Sequence, residues 1–236
     1  MYRFFLQTPP AGDVITVSGA DAKHIGLSLR MKTGEKIVFT REGKDYFCEI
    51  EEITPNDVTA HIISIEDVKS EPKLKLTIFQ ALPKSDKMET IIEKCTELGA
   101  FSFVPFISSR CVAIPKDFRA KVQRWQKIAE SAAKQSGRGI VPEVSEILSF
   151  SDMINRIKVF DKVYFCNENG GERITLPENI KTCAVIVGAE GGFALSEAEA
   201  IVKAGARGFT LGARILRCET APITAASIIM YLAGEI

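Results

Sequence analysis

The stretch from residue 184 to residue 221 constrains the fold of this chain more than any other. It opens with the apolar run 184–187, which ends in the loop 188–193 with the sequence Gly-Ala-Glu-Gly-Gly-Phe. A helix signal follows, and a second apolar segment at 208–212 leads into 213–221. Short apolar runs bounded by glycine are typical of buried strands. Ligands bind at the carboxyl ends of strands in open α/β sheets, so the stretch predicts a pocket for a small molecule.

A third loop of the same kind follows the predicted strand 162–166, at residues 167–171 with the sequence Asn-Glu-Asn-Gly-Gly. Glycine lets a ligand approach the backbone closely, but it also simply makes a tight turn possible. Three such loops after strands favour one shared binding site over three unrelated turns.

The charge of the central loop restricts the ligand. The spacing of Gly188, Gly191 and Gly192 fits neither Gly-x-Gly-x-x-Gly nor a P-loop. Glu190 lies between them, and its carboxylate would repel a polyphosphate. The loop therefore favours an adenosine-type ligand without phosphates, or one with a positive charge. S-adenosylmethionine (AdoMet) has both properties.

Two patterns of elements divide the chain. Residues 1–70 contain short apolar segments separated by turn residues, which predict a small β-barrel with one helix at 21–31 and Asp21 as its N-cap. From residue 71 onward, strands alternate with helices, which predicts an α/β domain with a parallel sheet over 71–236.

Capping signals place three helices of the second domain. Ser85 is predicted to cap a helix at 86–98. The sequence Ser-Glu-Ala-Glu at 196–199 predicts a capping box. Thr220 is predicted to cap a helix at 223–232, which is apolar nearly all round and must be buried in the core or against a second subunit.

The formal net charge is zero, but one segment is strongly basic. Residues 108–140 contain eight lysines and arginines and two acidic residues, and a long helix is predicted within them at 117–135. A local basic patch suits a polyanion such as RNA. A solvated helix face explains the same pattern equally well, so charge alone leaves both interpretations open.

The remaining composition excludes several classes of protein. The six cysteines are scattered without a Cys-x-x-Cys pair, which indicates reduced, mainly buried thiols in a cytoplasmic protein. With two histidines, a histidine-rich metal site is excluded, and no metal is expected. No apolar run approaches the ~20 residues of a membrane span, and the interrupted apolar start is too short for a signal peptide.

Two segments resemble the small-subunit rRNA methyltransferase E family. Residues 187–193 are similar to its Gly-Pro-Glu-Gly-Gly motif, and residues 211–221 are similar to its Leu-Gly-x-Arg-Ile-Leu-Arg-x-Glu-Thr-Ala motif. Ala189 stands in place of the usual proline and Cys218 in place of a common threonine, and both are small enough to preserve the loops. Further matching segments are 84–89, 96–99 and 135–138.

This resemblance, which covers nearly the whole chain, implies a two-domain enzyme. A PUA-like RNA-binding β-barrel at 1–70 would precede a SPOUT methyltransferase domain at 71–236, whose parallel sheet ends in a C-terminal trefoil knot that holds AdoMet. The family acts as a homodimer and methylates N3 of one uridine of 16S rRNA in the small ribosomal subunit. The cofactor-binding residues that it implies are Phe165, Val187, Gly188, Glu190, Gly191, Gly192, Leu211, Gly212, Leu216, Arg217, Glu219, Thr220 and Ala221.

The chemistry of the reaction suggests two catalytic residues. Uridine N3 carries a proton, and a cation near O2 or O4 would stabilise the deprotonated uracil. Arg217 is the first candidate for this cation, although it could instead pair with Glu219 or Glu190 and hold the loop. Glu219 is a candidate for the base that removes the proton, with a structural role as its alternative.

Six arginines are candidates for contact with RNA, and three other functions are alternatives to 16S rRNA methylation. The arginines predicted to contact RNA phosphates are Arg3, Arg30, Arg110, Arg119, Arg124 and Arg138. One alternative is a SPOUT enzyme that acts on tRNA or 23S rRNA, and another is an RNA-binding module without catalysis. A nicotinamide-dependent oxidoreductase is disfavoured by Glu190 and by the missing phosphate fingerprint.

Overall fold

The computed structural model describes residues 1–167 and 170–236, and the chain divides into two compact units. The first unit contains Met1–Glu71 together with Ala133–Ile140, and the second contains Pro72–Ala132 together with Val141–Ile236. The segment Ala133–Ile140 therefore groups with the first unit, whereas the predicted division assigned it to the second domain.

The first unit is built on one five-stranded sheet. Its strands are β1 (Arg3–Phe5), β2 (Val14–Ser18), β3 (Lys36–Arg41), β4 (Lys44–Ile53) and β5 (Asp57–Asp67). The strand order is β1-β3-β4-β5-β2, with β1 parallel to β3 and all other pairs antiparallel. Register shifts within β4 bend it against β5, so the sheet curls into a half-barrel. This architecture confirms the predicted PUA-like β unit.

The helix predicted at 21–31 is wrong in extent and in its cap. A four-residue helix, α1 (Ala20–Lys23), is followed by a π-helical turn at His24–Ser28, and the N-cap position is Gly19 instead of Asp21. The carboxylate of Asp21 is bound by Lys134 at 3.3 Å. Of the apolar residues that suggested a helix, Ile25 is buried but Leu27 is exposed, so they share no single apolar face.

A buried ion pair ties the first strand to the sheet. The guanidinium of Arg3 on β1 binds both carboxylate oxygens of Asp45 on β4, with Nη2 2.8 Å from Oδ2. The hydroxyl of Thr40 on β3 donates to the same carboxylate at 2.6 Å. The side chains of Arg3 and Asp45 are only 15% and 9% exposed. Because Arg3 is engaged here, the structure does not support its predicted contact with RNA.

The second unit contains a seven-stranded sheet in which every pair is parallel. Its strands are β6 (Lys75–Ala81), β7 (Ser102–Ile107), β8 (Glu143–Val144), β9 (Leu148–Ser149), β10 (Lys162–Cys166), β11 (Thr182–Val187) and β12 (Arg207–Phe209). The order is β12-β10-β11-β6-β7-β8, with β9 also paired to β7. The predicted parallel α/β sheet is confirmed. The trefoil knot stays a prediction.

Helices cover both faces of this sheet. They are α2 (Lys87–Glu97), α3 (Phe118–Gln135), α4 (Phe150–Arg156), α5 (Leu195–Lys203) and α6 (Thr220–Leu232). One face packs against α2, α3 and α6 through residues such as Ile91, Trp125 and Ile229. The other face packs against α4 and α5 through Met153 and Ile201. Because both faces are covered, the central strands are continuously apolar instead of alternating.

Three predicted caps are wrong. Ser85 adopts a left-handed backbone with φ of 58°, and Asp86 occupies the N-cap position of α2. At α5 the carboxylate of Glu197 reaches back to the backbone N–H of Ala194 at 2.9 Å, so the helix begins one residue before the predicted box. Thr220 is the first helical residue of α6, after Glu219 at the N-cap position.

The cysteines are unpaired with one another in the structure. All six cysteines are free thiols, as predicted. Burial raises the pKa of Cys48 and Cys183 to about 12, so both stay protonated and unreactive at neutral pH. Over residues 1–167 and 170–236, no helix is both long and apolar enough to cross a membrane.

We predict that loss of the Arg3–Asp45 ion pair destabilises the protein. Replacement of Asp45 by asparagine keeps the shape but leaves a mostly buried guanidinium without its counter-charge, so we expect a loss of about 3 kcal/mol in the free energy of unfolding. Urea unfolding of the purified variant measures this loss.

Asp67→Asn is the matched control. Asp67 lies 3.8 Å from Lys44 with side chains 89% and 57% exposed, and pairs of this kind contribute little. The two variants should therefore differ clearly, and equal unfolding midpoints would contradict a structural role for the Arg3–Asp45 pair.

Candidate functional site

A cavity of about 540 Å³ lies at the carboxyl ends of β10, β11 and β12. The loops after β11 and β12 line it together, as the glycine pattern predicted. Among the described residues of the loop after β10, Asn167 lines it and Gly170 and Gly171 do not. The predicted cofactor-binding residues that line the cavity are Phe165, Val187, Gly188, Glu190, Gly192, Leu211, Gly212, Leu216, Arg217 and Ala221. Gly191, Glu219 and Thr220 lie beside the cavity without lining it.

The loop after β11 is closed by a tight turn. The backbone N–H of Gly192 donates to the carbonyl of Ala189 at 2.9 Å. A Cβ added to Gly188 would lie 3.0 Å from the Cα of Gly192, which itself has a φ of +64°. Both glycines are therefore required by the backbone path. The substitution of alanine for the usual proline at position 189 leaves this turn intact.

A buried glutamine forms a hydrogen bond with the backbone of the same loop. Gln80, at the end of β6, is fully buried, and its side-chain Nε2 donates to the carbonyl of Gly188 at 3.1 Å. Because a buried amide needs partners, this hydrogen bond orients the backbone at the floor of the cavity.

Glu190 is held as a carboxylate by the turn before α2. Its Oε1 accepts hydrogen bonds from the backbone N–H of Lys84 at 3.0 Å and from Nζ of Lys87 at 2.9 Å. Partial burial by itself raises the pKa of Glu190, but these hydrogen bonds lower it to about 2. Glu190 is therefore ionised at neutral pH, and its charge is paired with that of Lys87. Because Arg110, Arg214 and Arg217 also line the cavity, the exclusion of a polyphosphate stays a prediction.

Lys87 also contacts the segment that leads into α6. Its Nζ lies 3.3 Å from Oε2 of Glu219 and 3.7 Å from Sγ of Cys218. Hydrogen bonding to Glu190, reinforced by Glu219, raises the pKa of Lys87. The Cys218 thiol donates to Glu219 at 3.4 Å, and burial raises the pKa of this thiol to about 12. Cys218 is thus a neutral hydrogen-bond donor and not a thiolate nucleophile.

Arg217 lines the cavity with a largely free side chain. Its side chain is 83% exposed, and Nη1 lies 4.0 Å from Oε1 of Glu219. This distance is at the limit of an ion pair, so the pairing that was the structural alternative is weak here. The guanidinium therefore lines the cavity while most of its surface stays open to solvent.

Arg110, which the sequence analysis predicted to contact RNA, also lines the cavity. Its Nη1 donates to the carbonyl of Gly191 at 2.6 Å. Glu197 holds the neighbouring segment through the backbone N–H of Ser109 at 2.7 Å. Arg110 therefore covers the glycine loop from one side.

Aromatic rings support the loops from inside. Phe193 stacks on Phe106 with ring centroids 6.4 Å apart and meets Phe165 edge to face at 6.5 Å. Phe165 and Phe193 also line the cavity. These contacts fix the loop after β11 against the strand ends.

The third predicted loop, 167–171, is only partly described. Glu168 and Asn169 lie outside the described residues. Asn167 lines the cavity, and its backbone N–H donates to the carbonyl of Phe209 at 3.2 Å. This bond joins the end of β10 to β12 at the edge of the site.

The predicted RNA-contacting arginines divide into two groups. Arg138 is 3% exposed, and its Nε and Nη2 donate to the carboxylate of Glu71 at 3.1 and 2.8 Å, so it is engaged within the first unit as Arg3 is. Arg124 binds Glu89 at 2.9 Å but stays 57% exposed. Arg30, Arg110 and Arg119 are exposed.

Sequence reasoning did not single out Lys87 as a site residue. Its segment, 84–89, matched the family, but a lysine in the first turn of a helix gives no direct signal of a contact with residues more than a hundred positions away. One indirect signal exists, because a cation at a helix N-terminus opposes the helix dipole and calls for a reason.

The chain is similar to known proteins over nearly its whole length. The chain matches the model of an RNA methyltransferase domain over residues 69–230 and that of an RNA methyltransferase PUA domain over residues 17–63. It is 34% identical to ribosomal RNA small subunit methyltransferase E of Bacillus subtilis (strain 168), with 98% of this chain and 96% of that protein covered. It is 30% identical to the protein of that name from Aquifex aeolicus (strain VF5), with 93% and 95% covered.

Two solved structures are similar over nearly their whole length. Ribosomal RNA small subunit methyltransferase E from Neisseria gonorrhoeae, bound to S-adenosyl methionine, matches with a TM-score of 0.91 at 27% identity and 98% coverage of both chains. A putative methyltransferase from Legionella pneumophila, in complex with the same cofactor, matches with a TM-score of 0.88 at 28% identity, covering 98% of this chain and 97% of that one. By its two domain matches and its near-complete coverage by these relatives, the chain belongs to the ribosomal RNA small subunit methyltransferase E family.

Proposed function

We propose that this protein is an AdoMet-dependent methyltransferase that methylates N3 of a uridine in 16S rRNA of the small ribosomal subunit. The observation that carries the proposal is the cavity at the ends of β10, β11 and β12, with its glycine backbone and its fixed Glu190 carboxylate. The names of the relatives support the RNA substrate, and the two cofactor-bound structures support the cofactor.

The cavity fits AdoMet in size and in chemistry. Its volume of about 540 Å³ is within the range of small-molecule sites. Gly188 and Gly192 line the cavity without side chains, which allows an adenosine group to approach the backbone closely. Residues proposed to hold the cofactor are those of the predicted set that line the cavity, with Gly191, Glu219 and Thr220 supporting the loops from outside. When bound, AdoMet supplies an electrophilic methyl group.

Arg217 is the residue proposed to act on the target base. Its exposed guanidinium at the cavity mouth can stabilise negative charge on uracil O2 or O4 once N3 has lost its proton. Glu219 is not proposed further as the base. Partial burial by itself raises its pKa, but hydrogen bonds from its own backbone, from Cys218 and from Lys87 prevail and lower it. A lowered pKa makes this carboxylate a weak proton acceptor.

The first unit is proposed to bind RNA, in keeping with its match to a PUA domain. Exposed arginines in both units would contact phosphates: Arg30, Arg110, Arg119 and Arg124. Because ribosomal RNA is the proposed substrate, we place the protein in the cytoplasm, which cell fractionation can check.

Mapping of methylated nucleotides tests the function directly. Incubation with isotope-labelled AdoMet and rRNA from cells that lack this enzyme should place one label on N3 of a single uridine in 16S rRNA, as read by mass spectrometry of nuclease fragments. Label in 23S rRNA or tRNA would support the related alternative, and absence of label with intact AdoMet binding would support a non-catalytic module.

Measurement of RNA binding at increasing salt concentration checks the proposed arginine contacts. Phosphate contacts release counterions, so RNA affinity should fall steeply between about 50 and 200 mM salt. An affinity that does not change over this range would contradict the proposed contacts.

Arg217→Ala tests the catalytic role. We expect a fall in kcat of about 100-fold or more with saturating AdoMet and RNA, since the variant lacks a cation in contact with developing charge. Arg207→Ala is the matched control, because Arg207 is an exposed arginine on β12 that does not line the cavity. If Arg217→Ala kept full turnover, the catalytic role would be refuted.

A homodimer is also proposed, on the basis of α6. This helix is apolar on nearly all sides, and its Tyr231 and Leu232 are 71% and 46% exposed in the single chain. Exposed apolar side chains on such a helix favour burial against a second subunit. Sedimentation at micromolar concentration should give twice the mass of one chain, and Tyr231→Asp should shift it toward the monomer. A monomeric mass for the unmodified protein would contradict the dimer.

A further inference from the structure

Lys87 contacts both loop segments that border the cofactor cavity. Its Nζ lies 2.9 Å from Oε1 of Glu190, in the loop after β11, and 3.3 Å from Oε2 of Glu219, in the segment between β12 and α6. The three side chains are 20–29% exposed, so the contacts are partly shielded from water. One ammonium group thus joins two segments that are separate in the chain.

The position of Lys87 is unfavourable for α2 itself. It is the first residue of the helix, where a cation opposes the helix dipole. The preceding turn is also strained, because Ser85 has a left-handed backbone with φ of 58°. That turn directs the backbone N–H of Lys84 at Glu190, 3.0 Å away. The cation at the helix start and the left-handed serine are both locally unfavourable, and both lie next to the hydrogen bond that binds Glu190. Unfavourable local features of this kind concentrate at functional sites.

We propose that Lys87 is a positioning residue that clamps the two loop segments of the AdoMet cavity together by holding Glu190 and Glu219 at once. This inference rests on the proposed function and adds a role that neither glycine motif contains. Lys87 does not touch the reacting atoms. It sets the distance between the two sides of the cavity, and with it the affinity for the cofactor.

The clamp works by neutralising a pair of like charges. Without the ammonium group, the carboxylates of Glu190 and Glu219 would repel each other across the cavity edge. The remaining groups near them compensate only in part. Nη1 of Arg217 lies 4.0 Å from Oε1 of Glu219, and the Cys218 thiol donates a hydrogen bond without carrying charge. The guanidinium of Arg110 binds the carbonyl of Gly191 instead.

The two carboxylates also predict a pH signature. In the intact site both glutamates stay ionised well below neutral pH, because their hydrogen bonds lower their pKa values, that of Glu190 to about 2 from its usual 4.5. AdoMet affinity should therefore be flat between about pH 5 and about pH 7, below the range in which the α-amino group of AdoMet itself titrates. Without Lys87 the mutual repulsion raises both pKa values. Protonation of one carboxylate as the pH falls toward about 5 then relieves the repulsion and restores affinity.

Calorimetric titration with AdoMet tests the clamp in the full-length protein. Lys87→Met should weaken binding about tenfold at pH 7.5, and most of that loss should disappear near pH 5. Lys87→Arg should bind nearly as the unmodified protein does, because the guanidinium keeps the charge. In the methylation assay Lys87→Met should raise KM for AdoMet more than it lowers kcat at saturation.

Lys94→Met is the matched control. Lys94 lies on the same helix and also bridges two glutamates, Glu93 and Glu97, at 2.8 and 2.9 Å, but it does not line the cavity. The Lys94→Met variant should therefore bind AdoMet as the unmodified protein does at every pH. Thermal unfolding of each variant shows whether the fold is retained.

The outcomes separate this inference from the proposed function. If Lys87→Met bound AdoMet as Lys94→Met does, or lost affinity equally at all pH values without rescue by arginine, the clamp would be overturned. A protein that binds AdoMet with the expected variant pattern but labels no rRNA would overturn the proposed function and leave the clamp standing. A protein that binds no AdoMet would overturn both.

Discussion

Parallel pairing of β11 with β6 on one side and with β10 on the other is the interaction on which the rest of the second unit depends. Parallel strands all end at the same edge of a sheet, so the loops after β10, β11 and β12 meet there without a special connection. Such a sheet is stable only when both faces are covered, and five helices supply that cover. The cavity lies at the carboxyl ends of β10, β11 and β12, between the loops that follow these strands.

The electrostatics of the cavity follow from one carboxylate in a glycine loop. Glu190 needs partners because a partly buried charge is unfavourable alone. It finds them in the turn before α2, a neighbouring part of the same sheet edge. The partners lower its pKa and keep its charge, and the aromatic contacts of Phe193 hold the loop in place. The site is therefore preformed in shape and charge, which is what a positioning enzyme requires.

Some of the arginines predicted to contact RNA are buried in ion pairs and others are exposed, although the sequence does not distinguish the two groups. Arg3 and Arg138 are charged residues in basic surroundings, and both are engaged in ion pairs inside the first unit. Arg119 and Arg30 are exposed. A composition argument counts all four as candidates for an RNA surface, because charge is visible in a sequence and burial is not. The count of basic residues therefore overstates the area available to RNA, and the place where RNA binds stays a prediction.

The sequence by itself determined the elements whose signals are local. The strand β10 was predicted with its observed bounds, and the glycine loops were identified, because apolar runs and glycine spacing act within a few residues. The glycine loops after β11 and β12 were correctly expected to meet, since parallel strands leave no other place for them. Only the tertiary structure decided which side chains join them. Lys87 and Glu190 are 103 positions apart, and Arg3 and Asp45 are 42 apart. Contacts of this kind depend on how the packed elements bring distant residues together, and no local pattern encodes that distance.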